Sequence, residues 1–213
     1  MSSKPPRSVS QPLRLVALLP PSPNTSLSHF KPVVLAQEEA RFYREASRAG
    51  GGGGGGGPVG GGAGALLSEC AVVADEELGA DTVELSGPKV RLELPCRVRV
   101  PGLVMQLRDS GAFCAVEVLV QDADGAALSL LASNRVSAIR VQGAQCAMPL
   151  ELVPGWNILR LNLDRLVKAA FGKEFAVCNC VVVHAATRVA RIYFQSEPLE
   201  DAELPDFLRT SRG

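Results

Sequence analysis

From residue 66 onward, apolar residues come in short runs, many alternating with polar ones, and turn residues separate the runs. This pattern predicts strands over residues 71–74, 82–85, 90–94, 103–107, 112–120, 127–132, 140–152, 156–163, 175–184 and 189–195. Short β-rich runs at this spacing point to an all-β sandwich or barrel rather than to alternating βαβ units. Asp124-Gly125 between two apolar runs reads as a tight hairpin, and Ser86-Gly87-Pro88 and Pro154-Gly155 read as turns. One helix interrupts the strands: Leu163, Leu166, Val167 and Ala170 form a single apolar stripe, with Asn162 as N-cap and Gly172 as C′ residue. Arg165 and Lys168 lie off that stripe. In the last strand, alternation puts Ala190, Ile192 and Phe194 on a core face and leaves Arg191 and Tyr193 as an exposed cation–aromatic pair. Alternation alone equally allows a plain solvated face there.

The pattern fades upstream. Residues 1–37 are rich in Pro and Ser and read as an extended arm rather than a packed domain. Residues 37–48 can form a short polar helix. Twelve of the fifteen residues in 50–64 are glycine, which marks a flexible linker. It is not a phosphate loop, because no apolar strand leads in and no Gly-Lys-Ser/Thr follows. The expected organisation is a basic extension over 1–48, a Gly-rich linker over 49–65, a sandwich domain over 66–208 and a tail over 209–213.

Composition narrows the chemistry. The 213 residues are 46% hydrophobic, enough for a sizeable core, and 22 Lys+Arg balance 22 Asp+Glu. Zero net charge gives no argument for a nucleic-acid or membrane partner. The balance is uneven, because no acidic residue precedes Glu38 while Lys4, Arg7, Arg14 and Lys31 are basic. No apolar run is long enough for a membrane span. The arm also has a presequence-like composition, but seven prolines in its 37 residues oppose an amphipathic helix. Six cysteines sit mostly in apolar runs, where a free thiol acts as a small hydrophobe, and a reducing compartment is expected.

No catalytic constellation emerges. Cys178, Cys180 and His184 share parity on one predicted strand, but three ligands in a line cannot surround a tetrahedral metal, so a buried strand is the better reading. Only His29 and His184 are available as imidazole bases, and no nucleophile elbow is present. Asp122 and Asp124 are explained by the hairpin, and Glu200, Asp201 and Glu203 by a solvated acidic segment. Neither a cofactor nor a metal is expected.

Several blocks carry a family likeness: Pro154-Gly155-Trp156-Asn157, Leu161-Asn162-Leu163, Ala170-Phe171-Gly172 and the run VVVHAATRVARIYFQSEPLEDAELPDF. Upstream, GLVMQLRD, FCAVEVLVQD, LASNR and Ala147-Met148-Pro149-Leu150 continue it. In these blocks the chain resembles the cilia- and flagella-associated protein 20 family, over residues 66–208. The resemblance implies a jelly-roll-like antiparallel β-sandwich with one short helix. It also implies a non-catalytic structural role in the axoneme or basal body, at the doublet inner junction or as a microtubule inner protein. The implied partners are tubulin in the microtubule lattice and neighbouring junction proteins, with no nucleic acid, membrane or small-molecule substrate. Interface candidates on this reading are Arg135, Arg140, Arg165, Lys168, Arg188, Arg191 and Tyr193. Arg188 and Arg191 have opposite strand parity and need not share a patch. The chain departs from the family in its long arm, a shortened segment between Leu94 and Leu103, and a diluted arginine patch, which marks a divergent paralogue. The alternative is a carbohydrate- or ligand-binding sandwich. It is disfavoured by low aromatic content and by reading Trp156 as a core anchor beside the helix.

Overall fold

A computed structural model describes residues 15–19, 32–34, 70–86, 90–184 and 186–209. The strands are β1 (Leu15–Leu19), β2 (Pro32–Val34), β3 (Cys70–Asp75), β4 (Ala80–Leu85), β5 (Val90–Val98), β6 (Gly102–Asp109) and β7 (Ala115–Asp122). There follow β8 (Ala127–Ser133), β9 (Arg140–Gln142), β10 (Gln145–Pro149), β11 (Gly155–Asn162), the helix α1 (Leu163–Phe171), β12 (Phe175–His184) and β13 (Thr187–Gln195). Two 3-10 turns, Asp201–Glu203 and Asp206–Leu208, come last.

The strands form a sandwich of two sheets. Sheet I runs β11-β6-β13-β4-β3, with β1 also paired to β13; sheet II runs β2-β5-β12-β7-β8-β10-β9. All pairings are antiparallel except β8 with β10. Alternate residues of facing strands supply the core: Leu103, Met105 and Leu107 of β6 meet Val116, Val118 and Val120 of β7, with Val181 and Val183 of β12. Leu163 and Val167 join this core from α1 and anchor the helix across the end of the sandwich. Helix boundaries follow local chemistry. Asn162 Oδ1 accepts from the Arg165 N–H at 2.9 Å, and Gly172 takes φ 67° as its N–H donates to the Lys168 carbonyl. The predicted Asp124-Gly125 hairpin is present between β7 and β8, with Gly125 at φ 89°.

Four features differ from the sequence reading. The run 140–152 is not one strand, because Gly143 at φ 58° turns the chain and splits it into the β9–β10 hairpin. Residues 1–37 are not wholly an unpacked arm, because β1 lies on β13 with Leu19 buried, and β2 lies on β5. The predicted Gly-rich linker and polar helix fall outside the described residues.

The third difference is a β-bulge in β13. Val189 faces Leu107 and Arg191 faces Gln106, leaving Ala190 as the extra residue. The bulge resets the alternation, so Val189, Ile192 and Phe194 point into the core, not Ala190 with Ile192 and Phe194. Arg188 and Arg191 consequently lie on the same outer face, opposite Arg108 and Gln106. The fourth difference is that this outer face is covered. Leu204 and Leu208, carried by the two 3-10 turns, pack on Val104 and Tyr193, and Leu15, Ala17 and Leu199 complete a second small core.

Candidate functional site

The outer face of sheet I carries a connected network of charged side chains. Its charged half begins at Asp75, the last residue of β3, whose side chain is only 2% exposed. One carboxylate oxygen accepts the backbone N–H groups of Glu77 and Leu78 at 3.1 Å each. The other accepts from Arg108 Nη1 at 2.9 Å and lies 3.5 Å from Arg188 Nη1. Arg188 Nε donates to Glu84 Oε1 at 2.9 Å, and Glu77 approaches Arg108 at 3.6 Å. The Arg108 guanidinium sits 5.8 Å from the centroid of the Trp156 ring, within cation–π range.

Strand register explains this assembly. Arg108 of β6 is flanked by Trp156 of β11 and Arg188 of β13, and Arg188 is flanked by Glu84 of β4. All four side chains therefore leave the sheet on one side. Burial alone would raise the pKa of Asp75. The Leu78 N–H, the Trp156 indole and Arg108 outweigh burial and hold it below the usual carboxylate value. Glu84 and Asp75 conversely push the Arg188 pKa upward. Two guanidiniums among three carboxylates leave one net negative charge, so the network is not a free cationic patch. Beside it opens a shallow cleft of about 400 Å³ lined by Glu84, Arg108, Asp109, Ser110, Thr187 and Arg188.

The structure distributes the predicted site residues over three places. Arg135 and Arg140 are exposed in the β8–β9 connection and at the start of β9. Arg165 and Lys168 are exposed one turn apart on α1, and Lys168 pairs with Glu174. Arg188 joins the network above. Arg191 and Tyr193 do not form the exposed pair expected of them: each is only 6% exposed, beneath the C-terminal turns. Arg191 Nη1 donates to the Leu208 carbonyl at 2.6 Å. Burial pushes the Tyr193 phenol up, offset in part by Arg160 and Arg191. Trp156 is likewise not a core anchor beside the helix; it lies half-buried on the outer face of β11, beside Arg108.

Sequence reasoning missed Asp75, Glu84 and Arg108. Each interrupts or ends an apolar run with a charge, which is a signal, but pairing them requires the register of β3, β4, β6 and β13. Cys178, Cys180 and His184 do not converge, and among the described residues no group of three or more His, Cys, Asp or Glu side chains could hold a metal ion. His184 is buried, with Glu117 3.7 Å from its Nε2. Among the described residues no helix is long and apolar enough to cross a membrane.

Comparison with known proteins places the chain in a family. A family model described as the CFA20 domain matches residues 68–212. The chain belongs to the CFA20 domain family. Relatives of this CFA20 chain include proteins named cilia- and flagella-associated protein 20. That of Caenorhabditis elegans is 29% identical over 142 residues, covering 62% of this chain and 70% of its own. That of Chlamydomonas reinhardtii is 29% identical over 142 residues, covering 62% and 75%. The Paramecium tetraurelia protein is 28% identical over 142 residues, covering 62% and 74%. Among solved structures, a mutant of a family 29 carbohydrate-binding module aligns at 11% identity and a TM-score of 0.33, covering 62% of this chain and 84% of its own.

Proposed function

We propose that this CFA20 chain is a non-catalytic structural protein of the cilium or flagellum that binds the microtubule lattice of the axoneme. The carrying observation is the CFA20 match over residues 68–212, with relatives named as cilia- and flagella-associated. A doublet inner-junction or inner-lumen seat, alongside tubulin and neighbouring junction proteins, is the finer form of the reading.

Surface electrostatics support it. Arg135, Arg140 and Arg165 are exposed, and among the described residues no ion pair occupies them. The Lys168–Glu174 pair is exposed on both sides, with relative exposures of 60% and 63%, so Lys168 can exchange partners at little cost. Cations of this kind fix register on an acidic lattice such as tubulin and set the salt dependence of binding. Arg188, Arg191 and Tyr193 serve the fold instead, which narrows the proposed contacts to Arg135, Arg140, Arg165 and Lys168.

The test is co-sedimentation of the full chain with microtubules across a salt series. Binding is expected at low ionic strength and should weaken as salt rises. Paired Arg165→Glu and Lys168→Glu substitutions, or Arg135→Glu with Arg140→Glu, should weaken it by about tenfold, the effect of roughly 1.4 kcal/mol. Failure to pellet at low salt, together with absence of the protein from salt-washed axonemes, would overturn the reading.

A further inference from the structure

The seam between β5 and β12 holds two thiols in near contact. Cys178 faces Val98 and Cys180 faces Pro95, so Cys96 and Arg97 together oppose the single residue Asn179. This is a bulge on β5, at a proline that has no N–H to offer the ladder. The bulge lets Cys96 pack against the core, where Cys178 is fully buried. The two sulfurs lie 3.8 Å apart, and the Cys96 sulfur is 3.4 Å from the Cys178 carbonyl oxygen. Both thiols are free. Joining them requires the sulfurs to close to about 2.05 Å. Side-chain rotation at a bulge, where the ladder is already interrupted, is the natural way to do it.

We propose that Cys96 and Cys178 are a redox pair: a two-electron oxidant such as hydrogen peroxide converts them to a disulfide that staples β5 to β12, and thiols reverse it. Cys96 is the attacking group. It is half-buried, between the exposed Pro95 and the exposed Arg97, so a small oxidant can reach it. The hydrogen-bonding contact between the Cys96 and Cys178 thiols lowers the Cys96 pKa against the opposing effect of burial. Cys178 is held protonated by that same contact and by burial. In the first step the Cys96 thiolate attacks one peroxide oxygen. The O–O bond breaks, the leaving hydroxide takes a proton to become water, and Cys96 becomes a sulfenic acid. In the second step the Cys178 sulfur attacks the Cys96 sulfur, forming the S–S bond. The S–O bond breaks, and the hydroxyl leaves as water with the Cys178 proton. Two thiols lose two electrons, and one peroxide is reduced to two waters.

The other cysteines act as internal controls. Burial first, and then the Glu93 carboxylate, push the Cys180 thiol up to about 11, and its sulfur turns to the Val181 carbonyl. Cys114 is pushed up to about 11, chiefly by burial.

The experiment treats the full chain with stoichiometric hydrogen peroxide, blocks free thiols by alkylation, and maps a non-reduced tryptic digest by mass spectrometry. Tryptic cleavage places Cys96 on one peptide, and Cys178 with Cys180 on another. The expected product is a cross-link about 2 Da lighter than the sum of the Cys96 thiol peptide and the Cys178 thiol peptide alkylated at Cys180, with fragment ions placing the bond on Cys178 and the alkyl group on Cys180. It should disappear on reduction, persist in Cys180→Ser and vanish in Cys178→Ser. A cross-link through Cys180 overturns the proposal. So does Cys96 oxidised to sulfinic acid without any cross-link, or no reaction under conditions that oxidise a model thiol. The wild-type map decides by itself, so the result does not depend on Cys178→Ser folding.

Discussion

Asp75 keeps its charge in a nearly water-free position because two backbone N–H groups and two arginines converge on it. Removing that charge strands the arginines. Each is about one-third exposed (36% and 33%), so solvent repays part of the loss. Asp75→Asn is therefore expected to cost about 1–3 kcal/mol, less than a fully buried ion pair, read from urea midpoints near pH 7. The pH dependence has a definite sign. The folded pKa lies below the unfolded value, so the stabilisation is complete above the unfolded carboxylate pKa and fades as pH falls through the folded one. The gap between wild type and Asp75→Asn should hold from neutral pH to about pH 5 and close in stronger acid. A gap that widens on acidification would contradict this assignment. Little of this was legible beforehand, because Asp75, Arg108 and Arg188 are spread over three strands. Arg191 misled for a related reason: its partner is the backbone carbonyl of Leu208, and a carbonyl leaves no mark in the sequence.

Elements whose logic is local could be read directly. Asn162 and Gly172 bound α1 as expected, and each makes a simple test. Asn162→Ala removes the cap and should cost about 1 kcal/mol. At Gly172 an added Cβ meets nothing within 4 Å, so only the left-handed φ of 67° penalises Gly172→Ala, again by about 1 kcal/mol. Both should lower the urea midpoint without changing the slope of the transition. The bulge at Ala190 is the opposite case. Its small apolar side chain reads as in phase with Ile192, so alternation alone assigns it to the core. Deleting Ala190 joins Val189 directly to Arg191 against Leu107 and Gln106. Arg188 and Arg191 then stay outward while Val189, Ile192 and Phe194 stay inward, and only the local twist of the bulge is lost. The expected outcome is a cooperative urea transition with a lowered midpoint; loss of the transition would show that the bulge's own geometry is needed to hold the fold. The split of 140–152 lay between these cases. Gly143 was visible in the run, but its turn is decided by β10 pairing in parallel with β8.

At the scale of the whole molecule, β12 and β13 are the strands on which both sheets are hung. β12 lies between β5 and β7, and β13 joins β6 on one flank to β4 and β1 on the other. Every one of those partners is earlier in the chain. During synthesis, the hairpins β3–β4 and β7–β8 can close as they emerge, and β11 can pair with β6. But β5 has no neighbour except the three-residue β2 until β12 is made, and β1 must wait for the far end of β13. Nascent chains halted at Gly172 should therefore stay protease-sensitive and bind a hydrophobic dye, whereas chains released after residue 209 should not. Until then the apolar inner faces of both sheets stand open, so safe passage off the ribosome depends on holding β1 and β5 apart from strands of other chains.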